Sequence, residues 1–224
     1  MSAAGSMNST ELLPPPAQPV PLLADGHIYF VGQESYPGVS EILQGAGMVD
    51  LSGIPEDRLE YARVRGSAVH LACHYYDLGV LNWDSVDPAI VGYLRSYIAF
   101  KQRAEDAIGF QVLGSEIPLT SKQWRFCGTL DKIAKVNGGA AVIDLKTPIT
   151  SRPATRFQTA GYHLLVNENF PALKTRKRFE LKLFKDEKIG ELIPFNDLEE
   201  DVQGFLWAAS LHHLKLKHGI IGGK

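Results

Sequence analysis

Hydrophobic and polar positions change period along the chain near Phe110. Upstream, apolar residues recur at helical spacing. In "IPEDRLEYARVRGSAVHLACHYYDLG" (54–79), Leu59, Ala62, Val69, Ala72 and Tyr76 fall on one face of a helix,. Pro55 suits a first turn, acids follow it, and Gly79 can close the helix,. Asp87 followed by Pro88 predicts the cap of a second helix, "DPAIVGYLRSYIAFKQRAEDA",. Before these lie a short strand, "HIYFV" (27–31), and a turn with a short helix, "YPGVSEILQGAG". From Phe110 onward "FQVLGSEIPLT", "WRFCGTLDKIAKV" and "GAAVIDLKT" read as strands,. "PATRFQTAGYHLLVNEN" returns to helical spacing, with Phe157, Ala160, Gly161 and Leu164 on one face. "RKRFELKLFKD" alternates basic and apolar residues as a half-buried strand does, and "KIGELIPF" can pair with it,. A last helix, "DLEEDVQGFLWAASLHHLKLKHG", starts with acids and ends with bases, which complements its dipole,.

Helices, three strands, a helix, one or two strands and a helix predict an α/β or α+β fold, with a central sheet flanked by helices. The expected organisation is a disordered Pro-rich leader over 1–24 and a single domain over 25–224. Within that domain, 25–109 forms a mainly helical part and 110–224 an αβ core. The leader rests on "PPPAQPVP" and on its Ser and Ala content,.

Composition narrows this picture a little. At 224 residues the chain can bury a sizeable core,. It has no run of about 18 apolar residues, so no membrane span is expected. No basic-then-apolar signal pattern opens it either. Cys73 and Cys127 are too few for a disulfide framework and read as small core residues in a reducing, intracellular compartment,. The formal net charge of −2 excludes retention on nucleic acid by bulk charge,. Residues 150–190 hold nine Lys/Arg against four acids. That segment reads either as a solvated strand face or as a local phosphate-binding surface.

The unusual chemistry lies in "GTLDKIAKVNGGAAVIDLKT" (128–147). Asn137-Gly138 is a strong two-residue hairpin signal, because both positions tolerate positive φ. With those two as the loop, Val136 faces Gly139 and Asp131 faces Asp144, with Cβ atoms about 5 Å apart. Lys146 joins Asp144 on the same face, opposite Thr129. A three-residue loop including Gly139 would shift the register by one and scatter the charges. Like charges directly opposite destabilise a hairpin. A divalent cation between them reverses the sign, and hard carboxylates suit Mg²⁺ or Mn²⁺ rather than zinc. A lysine beside such an ion can orient an attacking water whose pKa the metal lowers. On spacing alone the alternative stays open that the carboxylates reach solvent and pair with Lys132 or Lys146.

These residues resemble the PD-(D/E)XK nuclease superfamily. Asp131 followed by "IDLKT" is similar to its signature, with Asp144-Leu145-Lys146 in the D/E-x-K position. "QTAGY" (158–162) resembles the Q-x-x-x-Y motif of the RecB-like exonuclease branch, and "RGSAVHLA", containing His70, resembles that branch's upstream G-x-x-x-H helix. "SEIPL" supplies Glu116 on the preceding strand, and "YPGVSEIL" looks like the opening of several members. The resemblance spans about residues 36–185.

It implies a restriction-endonuclease-like core with catalytic Glu116, Asp131, Asp144 and Lys146. The implied metal ligands are His70, Asp131, Asp144 and the carbonyl of Leu145. Gln158, Tyr162 and Arg156 are the implied nucleic-acid contacts. The implied activity is Mg²⁺- or Mn²⁺-dependent hydrolysis of DNA, at ends or on single strands, without a covalent intermediate. The alternative is a nucleic-acid-binding assembly subunit that keeps the fold without turnover. Branch members with an iron–sulfur cluster carry four cysteines, so no such cluster is expected here. The nearest likeness is to compact phage and mitochondrial-type enzymes, which places the protein in the cytoplasm, or the host cytoplasm if phage-encoded.

Overall fold

The computed structural model describes residues 13–24, 28–147 and 153–221. Five strands form the main sheet: β4 (Gln111–Ser121), β5 (Phe126–Val136), β6 (Gly139–Lys146), β7 (Lys177–Lys182) and β8 (Glu191–Pro194). They lie side by side in that order. β4, β5 and β6 form an antiparallel meander, β6 and β7 run parallel, and β7 and β8 are antiparallel. A parallel pair needs a long crossover, and α4 (Thr155–Asn169) supplies it. The architecture is therefore mixed α/β with a mixed central sheet flanked by helices.

Helices cover both faces of this sheet. On one side α2 (Glu56–Asp77) and α3 (Val91–Ile108) bury Val69, Cys73, Leu94, Tyr97 and Phe100 against Ile143, Leu145 and Leu181. On the other, α1 (Val39–Gly45), α4 and α5 (Leu198–Lys217) pack Ile42, Ala160, Leu165 and Phe205 against Leu130, Ile133 and Val142. Gly161 is required where α4 crosses α5, since a Cβ there would stand 2.8 Å from the Phe205 ring.

A second small sheet, β1 (Leu22–Ala24), β2 (Ile28–Val31) and β3 (Glu34–Tyr36), is antiparallel throughout. It changes the picture of the leader. Leu13 packs on the core beside Gly114 of β4, and the amides of Ala17 and Gln18 donate to Asn169. Residues 13–24 are thus held by packing and pairing rather than disordered; residues 1–12 of the expected leader lie outside the described residues.

Two local expectations shift. Asp87 Oδ1 accepts the Ala89 amide at 2.8 Å, and the Asp87 carbonyl accepts the Ile90 amide. That closes a separate turn, so α3 begins only at Val91. On β7 the basic positions do not all face water. Arg178 is fully buried, donating to Asp201 at 2.6 Å and to the Arg156 carbonyl at 2.8 Å.

Candidate active site

The hairpin forms in the two-residue register. Val136 pairs with Gly139 and the ladder continues to Lys132–Ile143, with Asn137 and Gly138 at φ 48° and 73°. One step further would bring Asp131 to face Asp144, and there the ladder stops. β5 parts from β6 and stays paired with β4 alone. The Tyr29 hydroxyl accepts the Thr129 amide at 3.0 Å and meets the Thr129 hydroxyl at 3.2 Å. β6 continues instead along β7, pairing Asp144 with Glu180 and Lys146 with Lys182. The strands therefore open at the point where the two carboxylates converge.

Into that fork comes α2. His70 Nε2 lies 3.0 Å from the Leu145 carbonyl, and Nδ1 lies 3.1 Å from Asp131 Oδ1. Asp131 Oδ2 accepts the Leu145 amide at 2.6 Å. Glu116 adds a third side chain from β4. Its backbone sits at φ 53°, a left-handed conformation that costs a non-glycine residue about 1–3 kcal/mol,. One ligand atom each from His70, Glu116 and Asp131 lies within 4.8 Å of the others. Asp144 does not join that trio. Its Oδ2 pairs with Lys146 Nζ at 2.6 Å. Lys146 also donates to Gln158 Oε1 at 3.0 Å, and Gln158 Nε2 donates to the Tyr162 hydroxyl at 3.2 Å.

Electrostatics explain why such a cluster suits a cation. Burial, then the nearby Asp131 charge, pushes Glu116 up to about 7. Burial likewise pushes Asp144 up to about 6, against the pull of Lys146. Asp131 goes the other way: burial opposes its charge, but His70, Lys146 and the Leu145 amide together hold the carboxyl below its usual range. Burial also opposes charge on Lys146, yet Asp144 and Asp131 keep its pKa above the ordinary value. Glu116 Oε1 is buried without a hydrogen-bond partner. A buried unpaired acceptor is expensive, and a hard divalent cation on oxygen and imidazole ligands would satisfy it.

The cluster opens on a cleft of about 840 Å³ between α1, the outer half of α2, the end of β6 and the start of α4. His70, Leu145, Lys146 and Gln158 line it, together with Arg63, Arg65 and Thr155. Arg156 does not. It turns to the start of α5, pairing with Asp201, with Asp197 at 3.3 Å and with Glu200 at 3.7 Å. Part of the basic segment around it is also paired. Arg176 pairs with Glu199, Lys188 with Asp186, and Lys177 donates to the Val136 carbonyl; Arg152 lies outside the described residues.

A polar network behind the site was not anticipated from the sequence. Lys132, fully buried, pairs with Asp77 Oδ2 at 2.8 Å and donates to Ser115 at 2.7 Å. Asp77 also accepts from Tyr97 and Lys101. This ties the end of α2 to the strands bearing Glu116 and Asp131. The available signal was strand alternation, which puts Lys132 on the face opposite Asp131.

A mixed central sheet flanked by helices, with this fork at its middle, is the fold of a nuclease. The family model of the PD-(D/E)XK nuclease superfamily matches residues 46–216, and the chain belongs to that superfamily. A search of curated proteins returns no match. Among solved structures, the chain is similar to a protein provisionally named an exonuclease, from Eubacterium rectale. The two share 20% identity over 84% of this chain and 83% of that one, at a TM-score of 0.54. An alkaline exonuclease from Laribacter hongkongensis aligns more loosely: 13% identity, 84% and 95% coverage, TM-score 0.37.

Proposed function

We propose that the protein is a Mg²⁺- or Mn²⁺-dependent deoxyribonuclease of RecB-like type, acting as an exonuclease on DNA ends or single strands. The observation that carries this reading is the His70–Glu116–Asp131 cluster beside an Asp144–Lys146–Gln158 chain, with His70, Lys146 and Gln158 lining one cleft. His70, Asp131, Glu116 and the Leu145 carbonyl would hold the ion, and Asp144 beside them would offer a further carboxylate. Bound there, it supplies positive charge against a phosphate oxygen and lowers the pKa of the attacking water.

The chain's own groups do the rest. Lys146 keeps its proton and aims it at the oxygen where charge develops. Gln158 fixes the ammonium, and Tyr162 fixes Gln158. The His70 imidazole, set between Asp131 and the Leu145 carbonyl, orients both. Free Cys73 and Cys127, both buried, fit a reducing, cytoplasmic setting,.

The test is incubation of end-labelled linear and circular single-stranded DNA with Mg²⁺, Mn²⁺ or EDTA. Degradation of the linear form alone, abolished by EDTA, is the expected result. Cleavage of the circle would replace the exonuclease with an endonuclease. No cleavage of any DNA with either metal would overturn the reading.

A further inference from the structure

We propose that Arg65 grips the phosphate next to the one under attack, fixing the nucleic-acid strand along the cleft; this rests on the nuclease reading above. Arg65 lines the cleft from α2, five residues before His70. The two residues meet the same stretch of chain at different points. His70 Nε2 faces the Leu145 carbonyl at 3.0 Å, and an Arg65 guanidinium nitrogen reaches the Thr147 carbonyl at a long 3.4 Å. Two residues of extended chain span about 6.6 Å. That offset suits a neighbouring phosphate rather than the one beside the cluster.

The guanidinium is held in place but not used up. It lies 5.6 Å from the centroid of the Tyr61 ring and 5.4 Å from that of Tyr93, two cation–π contacts that fix its position,. Its Nε is buried with no hydrogen-bond partner. Among the described residues it has no carboxylate partner, whereas its neighbour Arg63 on the same cleft wall is paired with Glu60. A guanidinium offers five donors in a rigid fork that matches two phosphate oxygens. Here a single long bond to a carbonyl occupies them. A positioned arginine with spare donors, one step along the cleft from the catalytic lysine, is what a phosphate clamp requires. Arg156 cannot share this task while held by the acids of α5.

The experiment measures binding apart from cleavage. A fluorescein-labelled single-stranded DNA 12-mer is titrated by anisotropy onto Lys146→Ala protein, alone and with Arg65→Gln or Arg65→Lys added, from about 50 to 200 mM salt. Melting temperatures are recorded in parallel. Arg65→Gln should weaken binding about tenfold and lower the slope of log K against log[salt] by about 0.7, the share of one phosphate contact on a single strand. Arg65→Lys, which keeps the charge and loses the fork, should keep the slope and lose part of the affinity. Unchanged affinity in Arg65→Gln would overturn the clamp. So would weaker binding with an unchanged salt slope, which is the mark of a structural arginine. If Lys146→Ala protein fails to bind the DNA while wild type in EDTA binds it, Lys146 alone holds the strand and the clamp falls; if neither binds, the nuclease reading falls and the clamp with it.

Discussion

The carboxylate of Asp131 accepts the backbone amide of Leu145 at 2.6 Å, replacing the strand pairing that β5 and β6 abandon at that point. One oxygen thereby closes the fork while the other faces His70. Asp131→Asn keeps an oxygen for the amide, so its melting temperature should stay within a few degrees of wild type. It removes the charge that His70 faces and that the proposed ion would use. Hydrolysis should fall by a factor on the order of 10²–10³, the usual loss when one electrostatic stabiliser is removed. Near-normal cleavage of labelled DNA by the folded variant would remove Asp131 from the site.

His70 and His74 make an internal comparison one helical turn apart. His70 belongs to the cluster, and His74 does not: its Nδ1 is buried without a partner and its ring tilts against Tyr75. His70→Ala should lower activity about 10–100-fold, a loss of the size seen when the shell around a metal is disturbed. Added Mn²⁺ should recover part of it. His74→Ala should leave the metal concentration for half-maximal rate unchanged. Equal metal dependence in both variants would make His70 a core histidine rather than a ligand.

The hairpin was legible because Asn-Gly turns carry their register with them, and the alternation from Val136 to Lys132 then follows. What happens beyond Lys132 was not, since the parting of the strands depends on Tyr29 arriving from a separate sheet 100 residues away in sequence. Arg156 and Arg178 show the same limit. Their basic neighbourhood resembles a phosphate surface in sequence, but Asp201, brought by α5, takes both guanidinium groups. Local pattern reveals which charges exist, while tertiary packing decides which of them remain unspent. Residues 13–24 fail for a related reason: proline-rich composition suggests disorder, yet Asn169 offers a side chain that captures the passing amide of Gln18.

Lys132 holds Asp77 in a place water does not reach. Removing one partner of a buried pair costs about 3–5 kcal/mol when the other charge is left alone, but Asp77 would keep Lys101 and the Tyr97 hydroxyl. Lys132→Ala should therefore lose less than that, on the order of 1–3 kcal/mol by urea denaturation. Adding Asp77→Leu would also take the acceptor from the buried Tyr97 hydroxyl and from Lys101, so Lys132→Met with Asp77→Leu should be less stable than Lys132→Met alone,. A single-variant loss below about 1 kcal/mol would mean the pair is open to solvent.

Metal binding should stabilise the protein, and the size of the effect should depend on pH. In the metal-free protein, Glu116 and Asp144 hold protons up to about 7 and about 6. Both values lie above those of the unfolded chain. The folded state therefore binds more protons than the unfolded state in this range, and these groups make metal-free stability fall as pH rises from about 4 to 7. His70, also raised, pushes the same way above its ordinary value. Metal needs the carboxylates ionised, so it competes with those protons and wins as pH rises. At ten times Kd a ligand of the folded state contributes about 1.4 kcal/mol, or roughly 3–6 °C for a chain of this size. The rise with Mn²⁺ should be near that at pH 8 and much smaller at pH 5.5. Asp144→Asn removes a charge that burial disfavours, so metal-free it should match or exceed wild-type stability at pH 8. It should also gain less from metal. Calorimetric scans of both proteins at the two pH values measure this; metal shifts equal in the two proteins, or independent of pH, would mean that the ion sits elsewhere.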